Sequence, residues 1–564
     1  MSATPSHLSS GGGHPANLNT EGLYREKGMD SSSPSSEEEM ETDLEHSAGG
    51  RQHEHDDLAR THSKAHSFLA TKLSLPHEIA FVGITCCAQL TMQASMGPSL
   101  SIGREIGREF GVTSAADIAW YLAAYSLTIG TFILICGRLG DLFGYKRMMV
   151  IGYMWYAIWT MICGLSIYSD QGNIMMIVCR AFQGVGPSIL LPNGLAILGG
   201  SYPDGPRKHM VFAIFGAMAP GGATLGCAMA GVFELAWWPW AFWSFAIALL
   251  FLAGAAQLII PDSVNAHTSS SSFVDKLKQL DALGGTVGVA ALILINVAWN
   301  QAPIVGWTEP YTYILLTIGI LLVPLFFWIE LRWSSYPLLP LEALKSGDIA
   351  FVLGCLACGW GSFGTWLFYN WQWFLEIRGD SGLMTTAYFS PVAVSGAIAA
   401  VVTGIVLGKI GPAWTVVGAM CAFFTGNMLL ATRPMEQNYW IQSFLTVVIT
   451  PWGMDMIFPA STVILSNAVG RRHQGIAASL INTVVNYSIS IGLGFATTAE
   501  VYVNKGGTTK EELLKGYRAA CWVAVGLTAF GLVLSVIYLM VDLRKKRRVG
   551  QAVMSEAEGE EAKR

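Results

Sequence analysis

The sequence predicts an all-α polytopic membrane protein with fourteen transmembrane helices. Three observations predict it. Of 564 residues, 52% are hydrophobic and only 13% are charged, about half the charged share of soluble chains. Glycine is abundant, at 61 residues, well above its ordinary share of about 7%. The polar residues are crowded at the two ends: residues 1–75 hold seven of the eleven His and twelve of the 39 acids. These numbers exclude a soluble enzyme, a disordered protein and a nucleic-acid binder. A net charge of -5 implies no broad basic surface.

Residues 1–75 have almost no large apolar side chain, so they cannot bury enough surface to offset their ordering entropy. They read as a disordered tail. Its His53, His55, His62 and His66 lack the Cys or fixed scaffold that a metal site needs, and read as solvated. No basic stretch leads at once into an apolar one, so no cleaved signal peptide is expected. Residues 542–564, beginning near the basic run 544–548 and turning acidic, read as a second soluble tail.

Between the tails, 466 residues hold the apolar runs. A spanning helix needs about 20 apolar residues. The runs fall at 78–100, 118–136, 148–168, 174–200, 209–233, 238–260, 283–299, 312–330, 350–373, 384–408, 413–431, 440–468, 475–499 and 518–541. The seventh is the shortest, and the Gly-rich tenth is a candidate for a break. The remaining residues suffice only for short loops, so no second soluble domain fits.

Cytosolic loops carry excess Lys and Arg. An even helix count puts both tails on one side. The loops of that side, with the 544–548 cluster, hold seventeen Lys and Arg against eight on the other. Both termini are therefore expected in the cytosol. The ten Cys lie in or beside apolar runs. Cys355 and Cys358 form a CxxC spacing that reads as small packing residues in a Gly-rich helix. The sequon at Asn486 falls inside an expected span, which argues against glycosylation.

Between the second and third runs stands Gly137-Arg138-Leu139-Gly140-Asp141-Leu142-Phe143-Gly144-Tyr145-Lys146-Arg147. The glycines permit a tight turn and close backbone approach. Asp141 suits a helix N-terminus, and Lys146 and Arg147 supply a positive cytosolic end. This resembles the signature loop of the major facilitator superfamily, where it also joins helices 2 and 3. The resemblance implies that Asp141 contacts the partner bundle in the outward-open state, as a gate latch. It also implies a gating role for Gly137, Gly144, Lys146 and Arg147. On the fourth run, Arg180-Ala181-Phe182-Gln183-Gly184-Val185-Gly186 resembles that family's R-x-x-Q-G-x-G motif. On the fifth, Gly216, Pro220, Gly222 and Gly226 resemble its antiporter motif. The match departs from the pattern: Ala219 precedes Pro220, and the trailing double glycine is missing.

Fourteen helices resemble the drug:proton antiporter family with fourteen spanners. The segments at 238–243, 300–307, 336–340 and 450–460 resemble its fungal aminotriazole-resistance and boron-exporter branch. The resemblance runs from about residue 78 to 541. It implies the major facilitator fold, two six-helix bundles plus two inserted helices. The expected organisation is a tail (1–75), a first bundle (76–260), a linker with the inserted pair (261–345), a second bundle (346–541) and a tail (542–564). An internal repeat agrees. Leu191-Pro192-Asn193-Gly194 in the fourth run parallels Phe458-Pro459-Ala460-Ser461 in the twelfth, each followed by a basic pair. Two-bundle transporters bind substrate near the midplane between the halves.

An ionisable side chain at bilayer depth is costly and marks a functional candidate. Two are expected well inside strong spans, Arg180 and Asp455. Asp455 is neutral when protonated and charged when not, which suits a proton carrier. Arg180 keeps its charge and is suited to holding an anion or ordering hydrogen bonds, and the resemblance implies a part in proton transfer. The alternative for both is a buried structural ion pair. Cavity candidates are Gln89 and Gln93 on one face of the first helix, Asn370 and Trp371 near the end of the ninth, and Asn482 and Asn486 on the thirteenth. Interhelical hydrogen bonds explain the amides equally well.

The expected function is proton-coupled export of a small molecule: a drug, a toxin, a secondary metabolite or a borate-like weak acid. A nutrient importer and a non-transporting sensor are the alternatives. The expected partners are substrate, protons and the lipid bilayer, with no nucleic acid. No cofactor, metal or enzymatic activity is expected, because the proton gradient supplies the energy. The chain is expected to act as a monomer in the plasma membrane, with the vacuolar membrane as the alternative.

Overall fold

The computed structural model describes residues 73–112, 114–203, 205–262, 279–334, 337–338, 347–468 and 474–561. Most of the expected N-terminal tail, with its four His, lies outside the described residues. So do the loop cations Lys276, Lys278, Lys345, Arg471 and Arg472.

Fourteen helices among the described residues are long and apolar enough to cross a membrane, and each overlaps one expected run. They are α1 (Leu75–Ser101), α2 (Ala115–Phe143), α3 (Tyr145–Tyr168), α4 (Gly172–Ser201), α5 (Met210–Glu234), α6 (Pro239–Ile259) and α7 (Ala282–Val305). Then come α8 (Pro310–Arg332), α9 (Ile349–Arg378), α10 (Gly382–Ile410), α11 (Pro412–Ala431), α12 (Gln442–Asn467), α13 (Ala478–Asn504) and α14 (Lys510–Arg548). No strand occurs among the described residues.

Local sequence explains the irregular points. Helix α1 turns at Ser95 and Met96, just before Gly97-Pro98, where the proline supplies no backbone N–H. Gly144 ends α2 and starts α3 at φ +98, a conformation that a side chain would strain. The end of α9 widens into a π-helical turn, Trp373–Arg378. The helix that contains α14 continues beyond the last apolar run, to Glu561. Hydropathy falls at the basic run, but Arg, Lys, Glu, Gln and Ala all sustain a helix.

Helices α1–α6 pack among themselves, α2 and α3 on α4, α3 on α6, and α1 on α5. Helices α9–α14 do the same, α11 on α12 and α14, α9 on α13 and α14, and α10 on α12. Two seams join the groups. Along one, α2 packs extensively on α13; along the other, α5 meets α10. If α4 and α12 are counterparts, then α2 corresponds to α10 and α5 to α13, so the two seams are related by the same repeat.

Lipid offers no hydrophobic drive between helices, so contact depends on small residues and hydrogen bonds. A Cβ at Gly130 of α2 would lie 2.6 Å from the Tyr487 nitrogen of α13, so glycine sets that close approach. Inserted helix α7 packs on α8, on α13 and on α2. Asn300 donates to Asn296 Oδ1 (2.9 Å) and to the Ser490 carbonyl (3.2 Å), and Ser490 Oγ donates to Asn296 Oδ1 (2.8 Å). Burial separates central from peripheral helices: 83% of the α2 core window is buried against 17% for α8. The large exposed apolar side chains of α6, α8 and α10, such as Phe251, Leu321 and Val401, suit a lipid-facing surface.

Candidate functional site

Asp455 lies near the middle of α12, where α10 and α5 meet it. A Cβ at Gly396 of α10 would lie 3.1 Å from Asp455 Oδ2 and 3.8 Å from the Pro220 ring of α5. The missing side chain at Gly396 thus makes room for the carboxylate, and the helix-5 proline ring borders the same space. Asp455 makes no hydrogen bond or ion pair among the described residues. The structural ion-pair alternative therefore fails for Asp455. The sequence placed Asp455 and Pro220 on separate lists of candidates; the fold brings them to one seam.

Arg180 of α4 is 1% exposed and also has no acidic partner among the described residues. It donates through Nε to the Tyr121 carbonyl (2.8 Å), and through Nη1 to Ser95 Oγ (2.9 Å) and to Gln183. Its guanidinium stands 4.4 Å from the Tyr125 ring centroid. Tyr125 and Tyr156 share a hydrogen bond of 2.8 Å, and Gln183 donates to Thr160 Oγ1 (2.6 Å). Nη2 is buried without a hydrogen-bond partner. A cation held by neutral groups, with one donor unspent, is a candidate ligand for a polar or anionic group. No structural ion pair forms here either.

The signature loop uses its residues unequally. Gly137 faces Pro192 of α4 and Ser479 of α13, so it sits where three helices converge. A Cβ at Gly140 would collide with Asn193 of α4. Asp141 is exposed and accepts a hydrogen bond from Tyr145 Oη (2.6 Å) within its own loop. Lys146 is buried and pairs with Asp262 beyond α6 at 2.8 Å. That hydrogen bond and the ammonium charge hold the Asp262 carboxyl below its usual range, helped by nearby Arg147. On α5, a Cβ at Gly222 or Gly226 would meet the α1 backbone at Leu90 or Ala94, whereas one at Gly216 would meet open space.

The amide candidates separate. Gln89 and Gln93 are half-buried and make no side-chain hydrogen bond among the described residues. Asn482 and Asn486 bond back to carbonyls of their own helix, Ala478 (2.9 Å) and Asn482 (3.0 Å), and Asn486 Oδ1 is left buried without a partner. Asn370 accepts from Arg433 (2.9 Å), and Trp371 stacks on Phe389 at 4.9 Å. Those last two belong to a packed wall.

Other buried ionisable groups escaped the sequence reading, which expected a pair inside the spans. Glu500 of α13 is 4% exposed and accepts from Tyr369 Oη of α9 (2.8 Å). It stands one residue beyond the expected run. Glu78, near the start of α1, is also buried and bonded by Tyr202 (2.8 Å) and Arg207. Arg433, read as a loop residue, is 1% exposed, and its guanidinium lies 3.5 Å from the Trp373 ring centroid.

The end of the molecule opposite the signature loop is tied across the two groups. Arg104, in the short helix Gly103–Glu109 after α1, pairs with Glu376 of α9 at 3.0 Å. It also donates to Gln372 Oε1 (2.9 Å) and to Tyr517 Oη of α14 (2.8 Å). Nearby, Gly382 of α10 packs against the Ser101 carbonyl and Gly231 of α5 against Leu383.

Comparison with known proteins agrees with this geometry. The family model of the Major Facilitator Superfamily matches residues 79–493 and 349–557. The chain is 50% identical over 480 residues to the low affinity ammonium transporter of Saccharomyces cerevisiae, covering 85% of this chain and 92% of that one. It is 40% identical over 530 residues to the efflux pump terG of Aspergillus terreus, covering 93% and 99%. The aminotriazole resistance protein of Saccharomyces cerevisiae is 37% identical over 479 residues, 84% and 86% of the two chains. Among solved structures, a crystal structure of the peptide transporter POT superposes with a TM-score of 0.60 at 15% identity, covering 82% of this chain and 94% of that one.

Proposed function

The chain belongs to the major facilitator superfamily, and from that membership as a membrane transporter we propose that it is a proton-coupled exporter of small molecules working by alternating access. Asp455 carries the reading. A lone carboxylate at mid-span, on the seam between the two helix groups and beside the helix-5 motif proline, can gain and lose a proton as access alternates. Arg180 orders the hydrogen bonds of the first group and presents its unspent donor. Cargo of the expected classes fits this reading: lipophilic xenobiotics, secondary metabolites or a borate-like weak acid. The efflux pump and resistance protein among its relatives support the export direction.

Efflux from reconstituted vesicles, with and without an imposed pH gradient, tests the proposal. A panel including borate and azole-type compounds supplies the cargo. Efflux of every compound indifferent to the gradient overturns proton coupling. In the proposed orientation both tails are cytosolic, the signature loop faces the cytosol and the opposite end faces outside the cell. Tag accessibility in sealed vesicles should place the two tails on the same side.

The ammonium transporter among the relatives favours a second reading, in which Asp455 meets a small cation instead of a proton. Ammonium flux that depends on Asp455 and persists without a pH gradient selects that reading.

A further inference from the structure

Glu500 is buried at the end opposite the signature loop, outside the Asp455 seam, and nothing in the proposed cycle yet uses it. Its neighbours can be enumerated. From α9, Tyr369 donates to it at 2.8 Å, with Gln372 and Glu376 following towards the helix end. From α14, Gly516 packs on its Cγ, and the Tyr517 ring lies 5.4 Å from that of Tyr369. From the first helix group comes Arg104, bonded to Tyr517, Gln372 and Glu376. Arg108 reaches Glu376 only at 3.9 Å and pairs with Glu105 at 3.4 Å. The other nearby cations are engaged elsewhere: Arg378 pairs with Asp380 (3.2 Å), Lys510 donates to the Ile377 carbonyl (2.8 Å), Arg433 donates to Asn370 and Ser443 over the Trp373 ring, and Arg518 donates to the Arg433 carbonyl (3.0 Å).

The charge count of this cluster is uneven. One well-shielded guanidinium, Arg104, meets two carboxylates, and it takes its direct ion pair with Glu376. Glu500 receives a hydroxyl donor and no salt bridge. A buried carboxylate without a counter-ion is costly. The closed arrangement reaches neutrality when Glu500 carries a proton.

We propose that Glu500 is a second proton-binding site, which takes a proton from the outer solution as the outer end closes over it and excludes water, and gives it up when that end opens and water reaches the carboxylate. The step is one proton added to a carboxylate, with no bond to carbon formed or broken. Acid outside therefore favours the closed outer end. The inference rests on the proton-coupled reading above and extends it to a different acid.

The test uses the full chain in sealed vesicles with its outer end facing the medium. Cys421→Ser removes the exposed thiol, and Ser101→Cys places a reporter at the contact between α1 and α10. A membrane-impermeant maleimide reads its exposure, with the Cys421→Ser parent as background. Labelling, divided at each pH by that of the same cysteine in the denatured protein so that thiolate formation cancels, should fall as the outside pH is lowered, by about tenfold per pH unit beyond the midpoint for a single proton. Glu500→Gln should label slowly at every pH, because the amide mimics the protonated acid. Tyr369→Phe removes a donor to the ionised form, so its midpoint should move to higher pH.

Normalised labelling of the reporter protein that does not vary with pH overturns the proposal. A wild-type pH response in Glu500→Gln also overturns it. Should Glu500→Gln fail to fold, an unmoved midpoint in Tyr369→Phe overturns it instead. Asp455→Asn separates the two readings: it should lose gradient-driven efflux yet keep the labelling response. Gradient-driven efflux with pH-flat labelling strikes Glu500 alone. Efflux indifferent to the gradient strikes the coupling reading, and with it the place of Glu500 in the cycle.

Discussion

Asp455 and Glu500 are both carboxylates inside apolar helices, and their surroundings differ sharply. Asp455 faces a glycine and a proline ring, without a hydrogen bond among the described residues. Glu500 is bonded by a tyrosine and lies near an arginine that crosses from the other helix group. Depth in the bilayer makes both expensive. What differs is what each can respond to. Asp455 can answer only to motion at the α5–α10 seam, since nothing else holds it. Glu500 answers to whether the outer end is closed over it.

The largest expected effect comes from removing the unpartnered acid. Asp455→Asn keeps the shape and loses the exchangeable charge, so gradient-driven efflux should fall by at least about tenfold, the equivalent of about 1.4 kcal/mol. Exchange without a gradient should persist. Full gradient-driven efflux by this variant would erase the contrast between the two acids. Next comes Arg180→Lys, which keeps a charge but loses the planar fork to Tyr121, Ser95 and Gln183. One charged hydrogen bond lost is worth about 1.5 kcal/mol at the low end of its range, so a drop of about tenfold in transport rate is expected. Unchanged rates would reduce Arg180 to packing.

Gly396→Ala sharpens the comparison at one site. The added Cβ would press on Asp455 from 3.1 Å, so efflux should fall a few-fold while Ser101→Cys labelling keeps its pH response. Equal effects on both readouts would mean that the seams do not act separately. The smallest effect is expected from Asp141→Asn. Here Asp141 is exposed and bonded only within its own loop, a contact worth about 1 kcal/mol. Transport should fall by about fivefold or less with membrane insertion intact. Normal transport by a well-inserted variant would leave Asp141 as an ordinary turn residue.

The fourteen spans were legible because apolar runs of the right length leave few other structures possible in lipid. The signature loop was legible because its glycines have local work: Gly144 adopts a positive φ and Gly140 admits α4. Asp455 stood out as a lone acid in an apolar run. Glu500 did not, because it sits where hydropathy already falls and only a partner helix buries it. Arg433 looked like an exposed loop residue for the same reason: Asn370, Ser443 and Trp373 enclose it from elsewhere in the chain. The pairing of Arg104 with Glu376 depends on how the two helix groups face one another, which no local pattern encodes. The continuation of the α14 helix beyond residue 541 was not legible because hydropathy measures a helix's surroundings and not its persistence.

Helix α7 lies against both α2 and α13, with Asn296, Asn300 and Ser490 fastening it to the latter. It therefore roofs one of the two seams from the acyl chains. The α5–α10 seam has no inserted helix packed on both its members among the described residues. The acyl chains thus meet inserted protein along one seam and only the seam's own helices along the other, which is the seam that carries Asp455.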